Sequence, residues 1–147
     1  MIDPVVRSAT AIDEPQLREL ELEARAALID QRGGDRWLVD HPQIGDEWAA
    51  RRSDADVFVG IIDEMVVAYI VAELGDDAIV RIDQVWVTPP ARELGFGDEL
   101  LATVIESAKR RGAVGVEGQA LPGDRHTKNL YERARIVARL ITTFKPL

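Results

Sequence analysis

The spacing of apolar residues changes twice along this chain, from helical to strand-like and back, and the changes divide it into elements. Val5–Thr10 alternates as a short strand. Asp13-Glu14-Pro15-Gln16 then opens a helix, with an acid at the N-cap, an early proline and a glutamine three residues after the cap. Leu17, Leu20, Ala24, Ala27 and Leu28 form its buried stripe, and Gly33-Gly34 stops it. Asp35–Ser53, carrying Trp37, His41-Pro42, Gly45 and Trp48, reads as a loop plus a short helix. Val57–Ile62 and Met65–Leu74 are β-rich runs joined by Asp63-Glu64, the length of a tight hairpin, and Gly75-Asp76-Asp77 turns the chain into a third run, Ile79–Val87.

Beyond Pro89-Pro90 the spacing is helical again through Leu100, Leu101, Val104, Ile105 and Ala108, with Gly112 as the stop. Ala113–Leu121 is predicted as a strand, Pro122-Gly123-Asp124 as a turn and cap, and a helix runs through Leu130-Tyr131 to about Arg135. Ile136–Phe144 is predicted to close the chain as a strand. The resulting order, β-α-(α)-β-β-β-α-β-α-β, describes an α+β fold with one mostly antiparallel central sheet flanked by helices, residues 1–147 forming a single domain.

Composition narrows the chemistry. The 147 residues include no Cys, which removes disulfides, thiolate zinc sites and cysteine nucleophiles, and the two separated histidines, His41 and His126, are a poor metal set. No metal is expected. The apolar runs are too short to span a bilayer and the first ten residues lack a signal pattern, so a cytoplasmic protein with no membrane partner is expected. The net charge of −8 is uneven: residues 1–100 hold 22 acidic and 9 basic side chains, residues 101–147 hold 4 and 9. That split argues against nucleic-acid binding and suits either an anionic ligand at one end with a cationic one at the other, or plain solubility.

Chemistry concentrates in the segment 85–101. A strand ends at Pro89-Pro90, and a loop holding Arg92, Gly95 and Gly97 runs straight into a helix. Glycines permit close backbone approach, and a run of N–H groups at a helix start is an anion site, so the segment forms either a diphosphate cradle or a tight strand-to-helix turn. It is neither a Rossmann fingerprint nor a Walker loop, because it has no third glycine, no Gly-Lys-Ser/Thr and no preceding βαβ unit.

The residues Val87-x-Pro89-x-x-Arg92-x-x-Gly95-x-Gly97 resemble the acyl-CoA-binding motif of the GNAT superfamily of acyltransferases. A second match, Asn129-Leu130-Tyr131-Glu132, is similar to that family's Leu-Tyr-Glu segment at the expected distance behind the loop. Together the two cover about residues 79–136, and the element order extends the resemblance to the whole chain. It implies a GNAT-like three-layer fold and an acyl-CoA-dependent N-acyltransferase, most simply with acetyl-CoA as donor. The acceptor implied is a primary amine of a small cationic molecule or peptide, reached by direct transfer because no cysteine is present.

The resemblance also implies roles. Backbone groups of Val85 and Val87 would pair with the pantetheine arm; the loop Arg92, Glu93, Leu94, Gly95, Phe96 and Gly97 would hold the pyrophosphate, with Asp124 beside the arm. Tyr131 would protonate the departing thiolate, and a carboxylate would take the amine's proton. Asp83 is the leading candidate, with Glu73 and Glu117 behind it, while Gln119 stands where the branch acetylating protein N-termini carries glutamate. Lys109, Arg110, Arg111, Arg125 and Lys128 are candidate contacts for nucleotide phosphates. Three positions depart from the pattern: Glu93 replaces a glycine, Asp124 an asparagine, and Arg135 a glycine that ends the Tyr helix. They keep open a second class, a non-catalytic acyl-CoA-binding or interaction module. Exposed sheet edges make a homodimer an expected assembly.

Overall fold

The computed structural model describes residues 3–147. Strand β1 (Val5–Ser8) is followed by helices α1 (Glu14–Leu28), α2 (Gly34–Asp40) and α3 (Trp48–Asp54). Strands β2 (Asp56–Ile62), β3 (Met65–Leu74) and β4 (Ile79–Val87) come next, then α4 (Phe96–Arg110), β5 (Gly115–Glu117) and α5 (Arg125–Arg133). The sheet runs β1-β2-β3-β4-β5. Its first four strands are antiparallel neighbours, and β5 joins parallel to β4.

Period-two alternation builds three layers. Phe58, Ala68, Ile70, Ala72, Val80 and Ile82 face α4 and α5, where Phe96, Leu100, Leu101, Val104 and Leu130 close one core. Val57, Val59, Tyr69 and Val71 face the other way, against Leu17 of α1 and Trp48 of α3. Leu100 and Val104 have no exposed surface, and each such side chain contributes about 1.5–3 kcal/mol of transfer free energy. The Asp63-Glu64 hairpin is tight as expected, with φ of 47° and 67°, the twist a two-residue turn between antiparallel strands requires.

Several elements differ from expectation. The Asp13 carboxylate does not cap α1; it accepts from Thr10 N at 2.8 Å and pairs with both Arg7 Nη atoms at 2.6 and 2.9 Å, shaping a 3-10 turn before the helix. Gln16 reaches across to Val66 N instead of its own helix end. Helix α1 ends at Leu28, short of Gly33-Gly34, and the 35–53 stretch holds two short helices instead of one. The strand at 113–121 shrinks to Gly115–Glu117 because β4 and β5 diverge beyond that point. The closing strand at 136–144 does not form: no described strand pairs with it, and a strand without a partner has no ladder to stabilise it.

Candidate active site

The geometry of the site begins with one inserted residue. Val71 pairs with Gln84 and Ala72 with Ile82, so Asp83 is the extra residue of a β-bulge in β4. The ladder between β4 and β5 stops at Arg81 and Glu117, and the strands then splay into a wedge. Its walls include Asp83 to Trp86 on one side and Gln119 to Leu121 on the other, with Tyr131 at its base and Trp37 of α2 at its rim.

Tyr131 is 6% exposed, and burial, followed by the nearby Asp124 charge, pushes its phenol well above its ordinary value. It therefore stays protonated at neutral pH. A Cβ on Gly118 would stand 2.7 Å from the Tyr131 hydroxyl and 2.6 Å from Cζ. Only a residue without a side chain lets the ring lie across the chain just past β5.

At the rim, His41 links three elements that the sequence keeps far apart. Its Nδ1 lies 2.9 Å from Asp83 Oδ1, its Nε2 lies 2.7 Å from Gln119 Oε1, and its ring stacks on Trp37 with centroids 4.2 Å apart. Burial alone would lower the pKa of His41, but the hydrogen bonds to Asp83 and Gln119 and the charges of Asp83 and Asp40 outweigh it, so the value is raised. With the Gln119 oxygen toward Nε2, both nitrogens face acceptors and the ring carries two protons; turning the amide over offers its NH2 to a neutral ring. Arg51 flanks Asp83 on the other side at 3.5 Å and reaches Glu73 at 3.1 Å.

A buried polar chain fixes the segment carrying His41. Glu21, fully buried on α1, accepts Ile44 N at 2.8 Å and Gly45 N at 2.9 Å, and also Gln84 Nε2 at 2.8 Å. The Tyr69 hydroxyl donates to Gln84 Oε1 at 2.6 Å. Arg25 adds hydrogen bonds to the carbonyls of Leu38 and His41. The 41–45 segment is thus tied to α1 and to the strand that carries the bulge.

The loop before α4 follows the sequence expectation in shape. Gly95 has φ 92° and caps α4 with no side chain, and the N–H groups of Phe96, Gly97 and Asp98 have no acceptor among the described residues. Such a set of amides, backed by the helix dipole, fits a diphosphate. Glu93 has φ 70° where the family motif has glycine, and its side chain is exposed. Arg92 turns back: Nε donates to the Val87 carbonyl at 3.0 Å and the guanidinium lies 4.7 Å from the centre of the Trp86 ring. His126 is half-buried, and desolvation, followed by the Arg92 charge, lowers its pKa.

The other candidates divide. Val87 and Phe96 are core side chains, so only their backbones face outward, and Val85 packs beside them. Trp86 projects to the opposite face and donates to Glu23 Oε2 at 2.6 Å. The Asp124 carboxylate caps α5, accepting Thr127 N at 3.2 Å and Thr127 Oγ1 at 2.7 Å. Glu117 stays outside the wedge, exposed and 3.6 Å from Arg81 Nε. Lys109 and Arg110 lie at the far end of α4, about 20 Å along its axis from the loop, while Lys128 reaches back to the Pro122 carbonyl. Sequence reasoning missed His41 and Glu21, whose partners lie 42 and 23 or more residues away; a histidine before proline at a helix end was the one local signal.

The layers, the bulged strand, the wedge and the glycine loop together define an acetyltransferase architecture. The acetyltransferase (GNAT) family profile matches residues 15–135, and the chain belongs to that family. Among solved structures, a point mutant of the BH1408 protein from Bacillus halodurans is 19% identical, covering 97% of this chain and 99% of that one, with a TM-score of 0.82. The aminoglycoside acetyltransferase AAC(6')-Iy, solved with the bisubstrate analogue CoA-S-monomethyl-acetylneamine, is 15% identical over 99% and 100% of the chains, TM-score 0.68. Ribosomal-protein-alanine N-acetyltransferase from Brucella melitensis biovar Abortus 2308 is 14% identical over 99% and 100%, TM-score 0.69. At these identities the likeness is one of fold. No curated protein matches the sequence. None of the helices among the described residues is long and apolar enough to cross a membrane.

Proposed function

We propose that the protein is an acyl-CoA-dependent N-acyltransferase, with acetyl-CoA as donor, acting on a primary amine of a small cationic molecule or peptide. One observation supports the reading: the wedge between β4 and β5 is lined by the buried phenol of Tyr131 and by Asp83, whose carboxylate meets His41 at 2.9 Å. Acetyl-CoA, when bound, supplies an activated acetyl group as a thioester.

The chain's own residues do the rest. The amides leading into α4 hold the diphosphate, and the unpaired edge of β4 at Val85 and Val87 offers backbone groups to the pantetheine arm. The amine must lose a proton as it attacks, and neutral His41, with its Nδ1–H held by Asp83, accepts it at Nε2 once the amine has displaced the Gln119 amide from that nitrogen. Tyr131 delivers its hydroxyl proton to the departing sulfur. The surplus of acidic side chains in residues 1–100 favours approach of a cation.

The experiment is acetyl transfer from acetyl-CoA over a panel of diamines, polyamines, aminoglycosides and lysine peptides. Turnover of a cationic amine supports the reading. Acetyl-CoA binding with no turnover of any acceptor supports the binding module instead.

A further inference from the structure

Asp83 meets a different partner at each of its two carboxylate oxygens. Oδ1 faces His41 Nδ1 at 2.9 Å, and Oδ2 faces Arg51 Nη2 at 3.5 Å. The other end of the same guanidinium, Nη1, donates to Glu73 Oε2 at 3.1 Å. Glu73, Arg51, Asp83 and His41 therefore form one row of alternating charge. It starts on β3, passes through α3 and the bulge of β4, and ends just after α2. Its inner side chains are shielded, 21% exposed for Arg51, 20% for Asp83 and 12% for His41, so charge acts between them with less screening than at the open surface.

A cation in this row has a chemical consequence. A histidine facing a carboxylate alone is held toward its doubly protonated form, and in that form both ring nitrogens are donors with no lone pair for a further proton. Arg51 works against this: its charge on the outer oxygen offsets part of the Asp83 charge that the imidazole feels, and its planar fork fixes the carboxylate with Oδ1 toward Nδ1. Other groups around the ring act differently. Asp40 of α2 adds negative charge, Gln119 is neutral, and the Arg25 guanidinium of α1 is engaged by the carbonyls of Leu38 and His41. Glu47 and Asp54, both acidic, line the cleft that Arg51 and Asp83 share. Among the described residues, Arg51 is the one arginine or lysine at ion-pair distance from Asp83.

We propose that Arg51 is a positioning residue of the site: bound to the outer oxygen of Asp83 and steadied by Glu73, it sets how readily His41 takes up a proton. The consequence for transfer rests on the reading of His41 as the proton acceptor. The proton affinity of the ring does not, and it can be measured by itself.

The experiment is an NMR titration of the imidazole signals. The chain has two histidines, His41 and His126, and His41→Gln assigns them. Arg51→Met keeps the reach of the side chain and loses its charge, and the His41 midpoint is expected about half a pH unit or more above wild type. Arg51→Lys restores the charge and should bring the midpoint back to within about 0.2 unit of wild type. Glu73→Gln removes the negative group beyond Arg51 and should move the midpoint the other way, downward. Its side chain is half exposed, so the test holds on this variant even where Arg51→Met fails to fold. A row that only held α3 against the sheet would not give shifts of opposite sign from its two outer members. A His41 midpoint that stays or falls in folded Arg51→Met, or rises in Glu73→Gln, overturns the proposal. The midpoint of the acetyl-transfer pH profile should follow the ring in each variant. Ring midpoints that move as expected beside an unmoved rate profile would uphold Arg51 in this role and remove His41 as the proton acceptor of the reaction.

Discussion

The imidazole of His41 stands 2.9 Å from the carboxylate of Asp83, across 42 residues of sequence, and joins the segment after α2 to the bulge of β4. A raised folded-state value means that this pair contributes stability fully below the ordinary histidine pKa of about 6.5 and loses it as the pH rises through the raised value. Under the proposed mechanism transfer has the opposite sign, because there the neutral ring accepts the amine's proton. The thermal midpoint should therefore fall with rising pH across this window while the transfer rate climbs. His41→Gln should flatten both curves and lower the rate about 100-fold; unchanged profiles would remove His41 from proton transfer.

Tyr131 and Gly118 should respond differently to substitution. Tyr131→Phe keeps the ring and removes the proton, so kcat should fall about 100-fold while acetyl-CoA affinity stays within a factor of about 2. Gly118→Ala puts a methyl group where the phenol lies, so it should lower affinity, rate and thermal midpoint together. Equal kcat in wild type and Tyr131→Phe would exclude the phenol as the acid.

Glu93 combines two costs at one position. A non-glycine residue at φ 70° is strained by about 1 kcal/mol, and its negative charge sits beside amides suited to an anion. Glu93→Gly should tighten acetyl-CoA binding several-fold, with the gain shrinking at high salt, and should not lower the free energy of unfolding by more than about 1 kcal/mol. Calorimetry at two ionic strengths reads this directly, and a weaker complex in the variant would contradict it.

Glu21 is the buried anchor of the His41 segment. Glu21→Ala strands Ile44 N, Gly45 N and Gln84 Nε2 without acceptors, and should cost about 3 kcal/mol or more in chemical denaturation. Glu21→Gln retains one acceptor oxygen and should cost less. Equal stability of both variants and wild type would mean that the chain of hydrogen bonds does not hold the segment.

Local signals carried much of this architecture. The alternation in Val57–Ile62 and Met65–Leu74, the two-residue hairpin and the Leu100–Ala108 stripe are short-range patterns, and the three layers follow from them. The glycine loop and Tyr131 were legible through the family motif, and the departures at Glu93 and Arg135 do fall at left-handed positions, φ 70° and 62°. His41 was not legible, because its role depends on a bulge at Asp83 and on Gln119 beyond β5, both set by tertiary register. The closing strand at 136–144 was misjudged for a related reason: its residue types favour a strand, but pairing is a property of the partner as well as of the segment.

The most direct test of the account is a calorimetric titration of the wild-type protein with acetyl-CoA, repeated with Leu94→Asp, which places a carboxylate among the amides of the loop and is checked for folding by circular dichroism. Saturable binding at one site per chain is expected in the wild type, with at least a tenfold loss in the folded variant. No saturable binding to the wild type, or equal binding by both proteins, would contradict the assignment of the wedge and its loop to an acyl-CoA.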